Sequence, residues 1–383
     1  DARARTTGRA RSARPAVAMT VEGHLEGLPK YIEPEPGSAL RLDAAGLPMA
    51  TGTRTAPFRI VVPAGTGDYP FLMYGHGTGG TYADATFDGE IAGQGAAKVG
   101  IQFDGWTEGD VVQTLVGFKS IWSGSHFAGA MLMQALADAA AVQALMPGAL
   151  GEALAAPQLK GAANPAAGRR PTSLRTLWAG GSLGGIMSLV AVAADPALRY
   201  GVLNVPGAAW THYIPKSLLF SMILPLLQTP YHGEANAHLA LAMSQGLWDE
   251  IDGAAWSTAL RGRDAAFLIQ ESIGDPVVPN AGTEMVAVVT AAQQLGAELL
   301  KVAAGLPAAD AVSGYKSALT QYRVASTQPY RIHGFAGDDT PAGRAARQQI
   351  ADFVRSIWSD DKPAITVPPG CTNRSCDFGG TTP

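Results

Sequence analysis

Ser182 stands at the centre of Gly180-Gly181-Ser182-Leu183-Gly184, a G-x-S-x-G pentapeptide. A serine hydroxyl becomes a useful nucleophile when a neighbouring base takes its proton. The spacing suits a strand that turns abruptly into a helix with the serine at its tip, because the flanking glycines lack the Cβ atoms that would collide there. The helix N-terminus behind the serine adds partial positive charge. The pentapeptide alone is a weak signal. Its context is stronger: residues 174–178 read as a short apolar strand and 186–194 as an apolar helix. An ordinary glycine-rich turn between strand and helix is the plainer alternative.

The base and its orienting acid are sought further along the chain. Asp275, in Gly274-Asp275-Pro276-Val277-Val278-Pro279, follows the apolar strand 265–270, and the two prolines stiffen the turn that aims it. Such a carboxylate accepts a hydrogen bond from an imidazole Nδ1–H, fixing the tautomer and stabilising the imidazolium. Of the seven histidines, only His333 lies beyond Asp275, in Arg331-Ile332-His333-Gly334-Phe335. Its Nε2 would take the Ser182 proton and later pass it to the leaving group. A turn aspartate capping its own backbone and a structural loop histidine are the alternatives at these positions. Asp338 and Asp339 read as loop charges or as a cap for the closing helix.

Tyr74-Gly75-His76-Gly77-Thr78-Gly79-Gly80 follows a buried strand. Backbone N–H groups in such a loop suit a developing oxyanion, and the expected donors are the amides of Thr78 and Leu183. His76 and Gly77 are then expected beside the substrate. The same glycines also spell G-x-G-x-x-G, a dinucleotide fingerprint, with Asp104 at the end of the next strand as its ribose-binding acid. No Gly-Lys-Ser/Thr follows, which excludes a Walker phosphate loop.

The elements that must position these residues alternate. Strands are expected at 58–62, 70–74, 99–103, 174–178, 200–205 and 265–270. Extended segments at 322–324 and 330–332 are expected to lead into His333. Helices are expected at 128–145 (strongly amphipathic), 186–194, 282–295 and 341–358, with Pro341 suited to the first turn of the last. Strands alternating with helices imply an α/β, doubly wound, mostly parallel sheet. Residues 207–262 break the alternation with helical, Leu-, Met- and Trp-rich sequence, as an insertion over one end of the sheet. Trp210, Tyr213, Leu218, Leu219, Phe220, Met222, Ile223 and Leu224 make it apolar. It suits either a lid that forms an acyl pocket or a cap packed on the sheet. Trp106 suits either a pocket wall or the core.

The chain has 383 residues, 47% apolar and 16% charged, with net charge −4, so a large core is possible and nothing global points to nucleic acid. The longest apolar run considered, 218–227, is too short to cross a membrane. The sequence opens on Asp1, as expected of a processed or trimmed product. Residues 1–19, with Arg3, Arg5, Arg9, Arg11 and Arg14, read as a disordered basic leader or an arm for an anionic partner. The main domain is expected over 20–361 and a tail over 362–383. Cys371 and Cys376 in that tail suit a small-loop disulfide and an oxidising compartment, or two free thiols. No His or third Cys stands beside them for zinc.

Taken together, the His76-Gly77 loop, the Gly180–Gly184 elbow, the Gly274–Pro279 turn and the Ile332–Phe335 loop resemble the α/β-hydrolase superfamily, in its order of serine, acid and histidine. Within it the chain looks most like bacterial extracellular lipases and esterases, whose oxyanion loop often reads His-Gly-x-Gly-Gly. The resemblance spans 58–358. It implies an eight-stranded sheet, a helical cap, no metal and no organic cofactor. It further implies an ester hydrolase acting on a small-molecule, lipid or polymeric ester, in a secreted or periplasmic setting. An amide hydrolase with the same triad and a non-catalytic binding protein of this fold are the competing functions.

Overall fold

The structure is a computed structural model that describes residues 4–8, 16–221, 224–360 and 362–379. Its central strands show why a sheet forms. In Tyr69–Gly75, Phe71 and Met73 enter one apolar cluster while Leu72 and Tyr74 enter another; in Ala266–Ser272, Phe267 and Ile269 oppose Ala266 and Leu268 in the same way. Side chains that alternate between two buried faces make near-continuous apolar strands, the pattern of a sheet covered by helices on both sides.

The main sheet has twelve strands: β1 Ala4–Gly8, β2 Val17–Lys30, β3 Gly52–Pro63, β4 Tyr69–Gly75, β5 Ala97–Ile101, β6 Pro171–Gly181, β7 Tyr200–Asn204, β8 Ala266–Ser272, β9 Gln293–Leu295, β10 Ala308–Ala309, β11 Ala318–Arg323 and β12 Cys376–Asp377. Their order is β1-β2-β3-β5-β4-β6-β7-β8-β11-β9-β10, with β12 beside β11. β1–β2, β2–β3 and β3–β5 are antiparallel and the other pairs parallel. The sheet is mostly parallel, as expected, with more strands than the expected eight. The additions lie at the margins, where unpaired N–H and C=O groups accept short segments: β1 on one edge, β9, β10 and β12 near the other.

β1 and the first residues of β2 fall inside the segment expected to be disordered, 1–19. Their backbone pairs Ala4 to Gly8 against Leu25 to Val21, so the long β2 hairpin partner takes up this stretch. Arg3, Arg9, Arg11 and Arg14 lie outside the described residues, as do Met222 and Ile223 of the insertion.

The helix Ile121–Leu145 is not amphipathic in the sense expected. Phe127 through Leu132 are all buried, because the helix is enclosed between the sheet and the insertion. By length and composition it is apolar enough to cross a membrane. Here it packs as a core helix, with its buried Asp138 paired to Arg54 at 3.2 Å and accepting from Gln134 at 2.9 Å. The expected helix 282–295 is instead Asn280–Val289 followed by β9, since Thr290 and Ala291 end it. The closing helix, Pro341–Trp358, is capped by Thr340, whose Oγ1 accepts from the Gly343 amide at 3.1 Å; Asp339 pairs with Arg344 instead.

Between β7 and β8 the described chain forms short helices and no strand. Fully buried Asp252 fastens this insertion by accepting from the Ala209 and Trp210 amides at 2.8 and 2.9 Å. At its far end, Arg263 donates to the carbonyls of Val192, Ala193, Asp195 and Leu198 at 2.9–3.0 Å, closing the C-terminus of the helix Leu183–Ala194.

The tail also packs down. Ala364–Thr366 pairs antiparallel with Ala311–Ser313, and Cys371 and Cys376 form a disulfide beside β12.

Candidate active site

Ser182 occupies the turn between β6 and the helix Leu183–Ala194, with φ 56° and ψ −122°. A non-glycine residue held at positive φ stores backbone strain of about 1–3 kcal/mol, and the surroundings must impose it. They do so through the glycines. A Cβ on Gly184 would lie 1.9 Å from the Gly75 carbonyl oxygen, and one on Gly180 would lie 2.4 Å from the Gly184 carbonyl carbon. The helix start therefore crosses β4 and β6 backbone to backbone. Gly181 has no such need: its Cβ would meet nothing closer than 3.5 Å. The Ser182 amide donates to the Asn204 carbonyl at 2.9 Å, which fixes the turn to β7.

The glycine loop after β4 comes close to this turn. A Cβ on Gly77 would stand 3.6 Å from the Ser182 Cβ. His76 holds the loop from within. It is fully buried; its Nε2 accepts from the Phe103 amide at 2.9 Å and its Nδ1 donates to the Gly77 carbonyl at 2.7 Å. Burial lowers its pKa below the ordinary histidine value, consistent with the neutral tautomer these partners require. The Gly79 amide donates to the Trp106 carbonyl at 2.8 Å. Among the described residues, the amides of Thr78 and Leu183 have no protein acceptor, Leu183 being the first residue of its helix.

Asp275 and His333 meet across the end of the sheet. The His333 Nδ1–H donates to Asp275 Oδ2 at 2.7 Å, with the Asp275 side chain 2% and the His333 side chain 12% exposed. Asp275 Oδ1 accepts from the Val277 and Val278 amides at 2.8 and 3.0 Å, a turn that Pro276, having no N–H, leaves open to the two following residues. His333 ends the short helix Pro329–His333. The extended reading of 330–332 is corrected there: Pro329 at the first helical position starts a turn of helix.

Ser182 and His333 line one cavity of about 220 Å³, together with Gly77, Thr78, Asn204, Val205, Leu219 and Val277. Four residues expected at the substrate are elsewhere. Trp106, Trp210 and Tyr213 are buried in the core, where Trp210 stacks on Trp248 at 5.0 Å and contacts Trp106 and Tyr213 at 5.7 Å. His76 stands behind the loop and outside the cavity lining. The insertion reaches the cavity through Leu219, and its Leu218 amide donates to the Pro276 carbonyl at 2.7 Å.

Sequence reasoning missed the support beneath Asp275. Asn280 Oδ1 accepts from the Gly274 amide at 2.8 Å, and its amide group donates to Glu271 Oε1 at 2.9 Å. Glu271, fully buried, accepts at its other oxygen from Gln321 at 2.8 Å. Desolvation pushes the Glu271 pKa up to about 8. A polar Gln270-Glu271-Ser272 ending on a fully buried strand that begins Ala-Phe-Leu-Ile was the available signal.

The dinucleotide reading needs a helix opening at the glycines. The first helix after Gly80 begins at Asp88, and Asp104 forms an ion pair with Arg54. Among the described residues no three His, Cys, Asp or Glu side chains group as metal ligands.

No family model and no curated protein matches the sequence. Solved structures similar in fold include an acetyl xylan esterase from Paenibacillus sp. R4, at 14% identity and TM-score 0.49 over 92% of this chain and 89% of that one. Acetyl xylan esterase 1 from Thermoanaerobacterium sp. JW/SL YS485 is similar at 14% identity and TM-score 0.48, over 88% and 87%. A thermostable esterase from Pseudomonas putida ECU1011 is similar at 17% identity and TM-score 0.44, over 80% of each chain.

Proposed function

We propose that this chain is a serine hydrolase of carboxylic esters. The observation that carries the reading is the 2.7 Å His333–Asp275 hydrogen bond lining up with a cavity that also holds Ser182 in its strained elbow. Ser182 Oγ attacks the acyl carbon while His333 Nε2 takes its proton. Asp275 fixes the imidazole tautomer and stabilises the imidazolium. The Thr78 and Leu183 amides receive the oxyanion, a contribution of about 3 kcal/mol per donor in sites of this kind. His333 then protonates the leaving alcohol, and water, deprotonated by His333, releases the acid.

A cavity of about 220 Å³ favours a short acyl group and a small alcohol over a long lipid chain, since pockets for larger ligands begin at roughly 300 Å³. The burial of Trp210 and Tyr213 removes the aromatic wall that a lipid site would have used. The Cys371–Cys376 disulfide supports a secreted or periplasmic setting.

The test is labelling by a fluorophosphonate probe, with kcat/KM on p-nitrophenyl esters from acetate to octanoate, for wild type and Ser182→Ala. Labelling lost in the variant, with kcat/KM falling beyond butyrate, is expected. No labelling of the wild type refutes the hydrolase reading. A preference for octanoate refutes the short-chain reading, and a preference for peptide anilides makes the enzyme an amidase.

A further inference from the structure

The cavity around Ser182 is chemically one-sided. Among the residues lining it there is no lysine or arginine, and Asp84 is its one acidic side chain. Asp84 lies in the loop between β4 and the helix Asp88–Gly93. Its Oδ1 accepts from the Thr86 amide at 2.8 Å, while Oδ2 has the Tyr74 hydroxyl at a long 3.4 Å. A carboxylate offers about four acceptor positions, so Oδ2 retains capacity for a further donor.

The loop that carries Asp84 is rigidly held. The buried Lys98 ammonium donates to the Asp84 carbonyl at 2.7 Å, to the Thr86 carbonyl and to Asp88 Oδ1 at 2.9 Å. Arg59 donates to both Asp88 oxygens at 3.2 and 2.7 Å. Lys98 and Arg59 thus pair with the Asp88 carboxylate, and Lys98 holds the main chain of Asp84. Neither cation lines the cavity, so the charge a bound substrate meets at short range is the Asp84 carboxylate.

We infer that Asp84 is a specificity-determining residue that favours esters bearing a cationic or hydrogen-bond-donating group and rejects esters bearing an anion. The inference rests on the proposed hydrolase reading and names the substrate charge of that same site. A carboxylated or phosphorylated ester would place a like charge beside Asp84 with no cation among the lining residues to receive it. One unit charge at about 4 Å in a water-like cleft is worth roughly fivefold in binding or rate.

The experiment compares kcat/KM for three acetate esters of similar size: choline (cationic), 3,3-dimethylbutanol (neutral) and 4-hydroxybutanoate (anionic). Wild type, Asp84→Asn and Asp84→Glu are assayed. The cationic-to-anionic ratio needs no correction for the folded fraction. It is expected to exceed one in wild type, to fall roughly 25-fold in Asp84→Asn as the two ends each shift about fivefold, and to persist in Asp84→Glu. In wild type it should also shrink as salt is raised to 1 M. A ratio in Asp84→Asn within twofold of wild type overturns the assignment. If Asp84→Asn does not fold, a wild-type ratio indifferent to salt overturns it. A wild type that hydrolyses none of the three esters and takes no fluorophosphonate label overturns the hydrolase reading and this inference together. Labelling with equal rates on all three overturns the Asp84 assignment alone.

Discussion

Replacing Glu271 by Gln separates two opposing demands on one buried side chain. Burial favours the protonated acid and raises the pKa from 4.5 to about 8. Between those values the unfolded chain releases the proton and the folded one keeps it. The contribution to stability is therefore fully present below pH 4.5 and is lost as pH rises to about 8. Over 3.5 pH units, at 1.36 kcal/mol each, the loss is on the order of 4–5 kcal/mol. Gln carries no such dependence, but it meets a different cost. Both partners of Glu271 are donors, and neither can turn over: the Asn280 oxygen accepts from the Gly274 amide and the Gln321 oxygen from the Leu299 and Leu300 amides. One donor of the new amide must face another donor, at a cost of about 1–3 kcal/mol. The variant should thus be less stable than wild type by about 2 kcal/mol at pH 5 and more stable by a similar amount at pH 9. Urea unfolding followed by tryptophan fluorescence, at steps of half a pH unit, measures both curves. Their difference isolates Glu271, since Asp138, raised to about 6 by burial, is present in both proteins. A difference that stays flat within about 1 kcal/mol across this range would refute the reasoning.

Gly184→Ala should cost more than about 3 kcal/mol or prevent folding, because its Cβ would overlap the Gly75 carbonyl oxygen at 1.9 Å; Gly181→Ala, whose Cβ would make only van der Waals contact with Asn204 at 3.5 Å, should cost less than about 1 kcal/mol, and thermal denaturation of the pair checks both. Asp275→Asn should lower kcat by three to four orders of magnitude with little change in KM, as the imidazole loses its tautomer; steady-state kinetics on a short ester reads this. His76→Ala should lose about 2–4 kcal/mol of stability in chemical denaturation, from the vacated core and two lost hydrogen bonds. Removing the disulfide with Cys371→Ser and Cys376→Ser should cost only about 2 kcal/mol, because the loop it closes is short; calorimetry checks the size.

Ser182 and Asp275 were legible as candidates because each follows a strand whose end is marked by local sequence, glycines at Ser182 and prolines at Asp275; His333, which instead ends the short helix Pro329–His333, stood out by its His-Gly pair and its place in the chain. Their proximity was legible only through the order expected of the resembled family. The aromatic residues were misplaced for a physical reason. Trp210 has the composition of a pocket wall and Trp106 that of either wall or core, and only the stack of Trp210 on Trp248, with Trp106 against Trp210, decides that both lie inside the molecule. His76 shows the same limit. Its neighbours in sequence point to the substrate, while its hydrogen-bond partner Phe103 lies 27 residues away. The strands β9, β10 and β12 were illegible because two- and three-residue ladders carry no period; the long helix Ile121–Leu145 misled because exposed positions such as Ala137, Ala140 and Ala144 are alanines and mark no polar face.

The insertion between β7 and β8 is closed on itself by Asp252 and fastened by Arg263 to the scaffold that carries Ser182. Asp252 ties its return to its beginning, and Arg263 closes the helix that follows Ser182. The segment between these anchors is thereby a replaceable cassette. Its sequence and length can drift, or be exchanged by design, while the attachment points keep the elbow where it is. Exchanging the cassette changes the one wall of the cavity that Leu219 supplies, while Asp84, Ser182 and His333 stay with the frame that holds it.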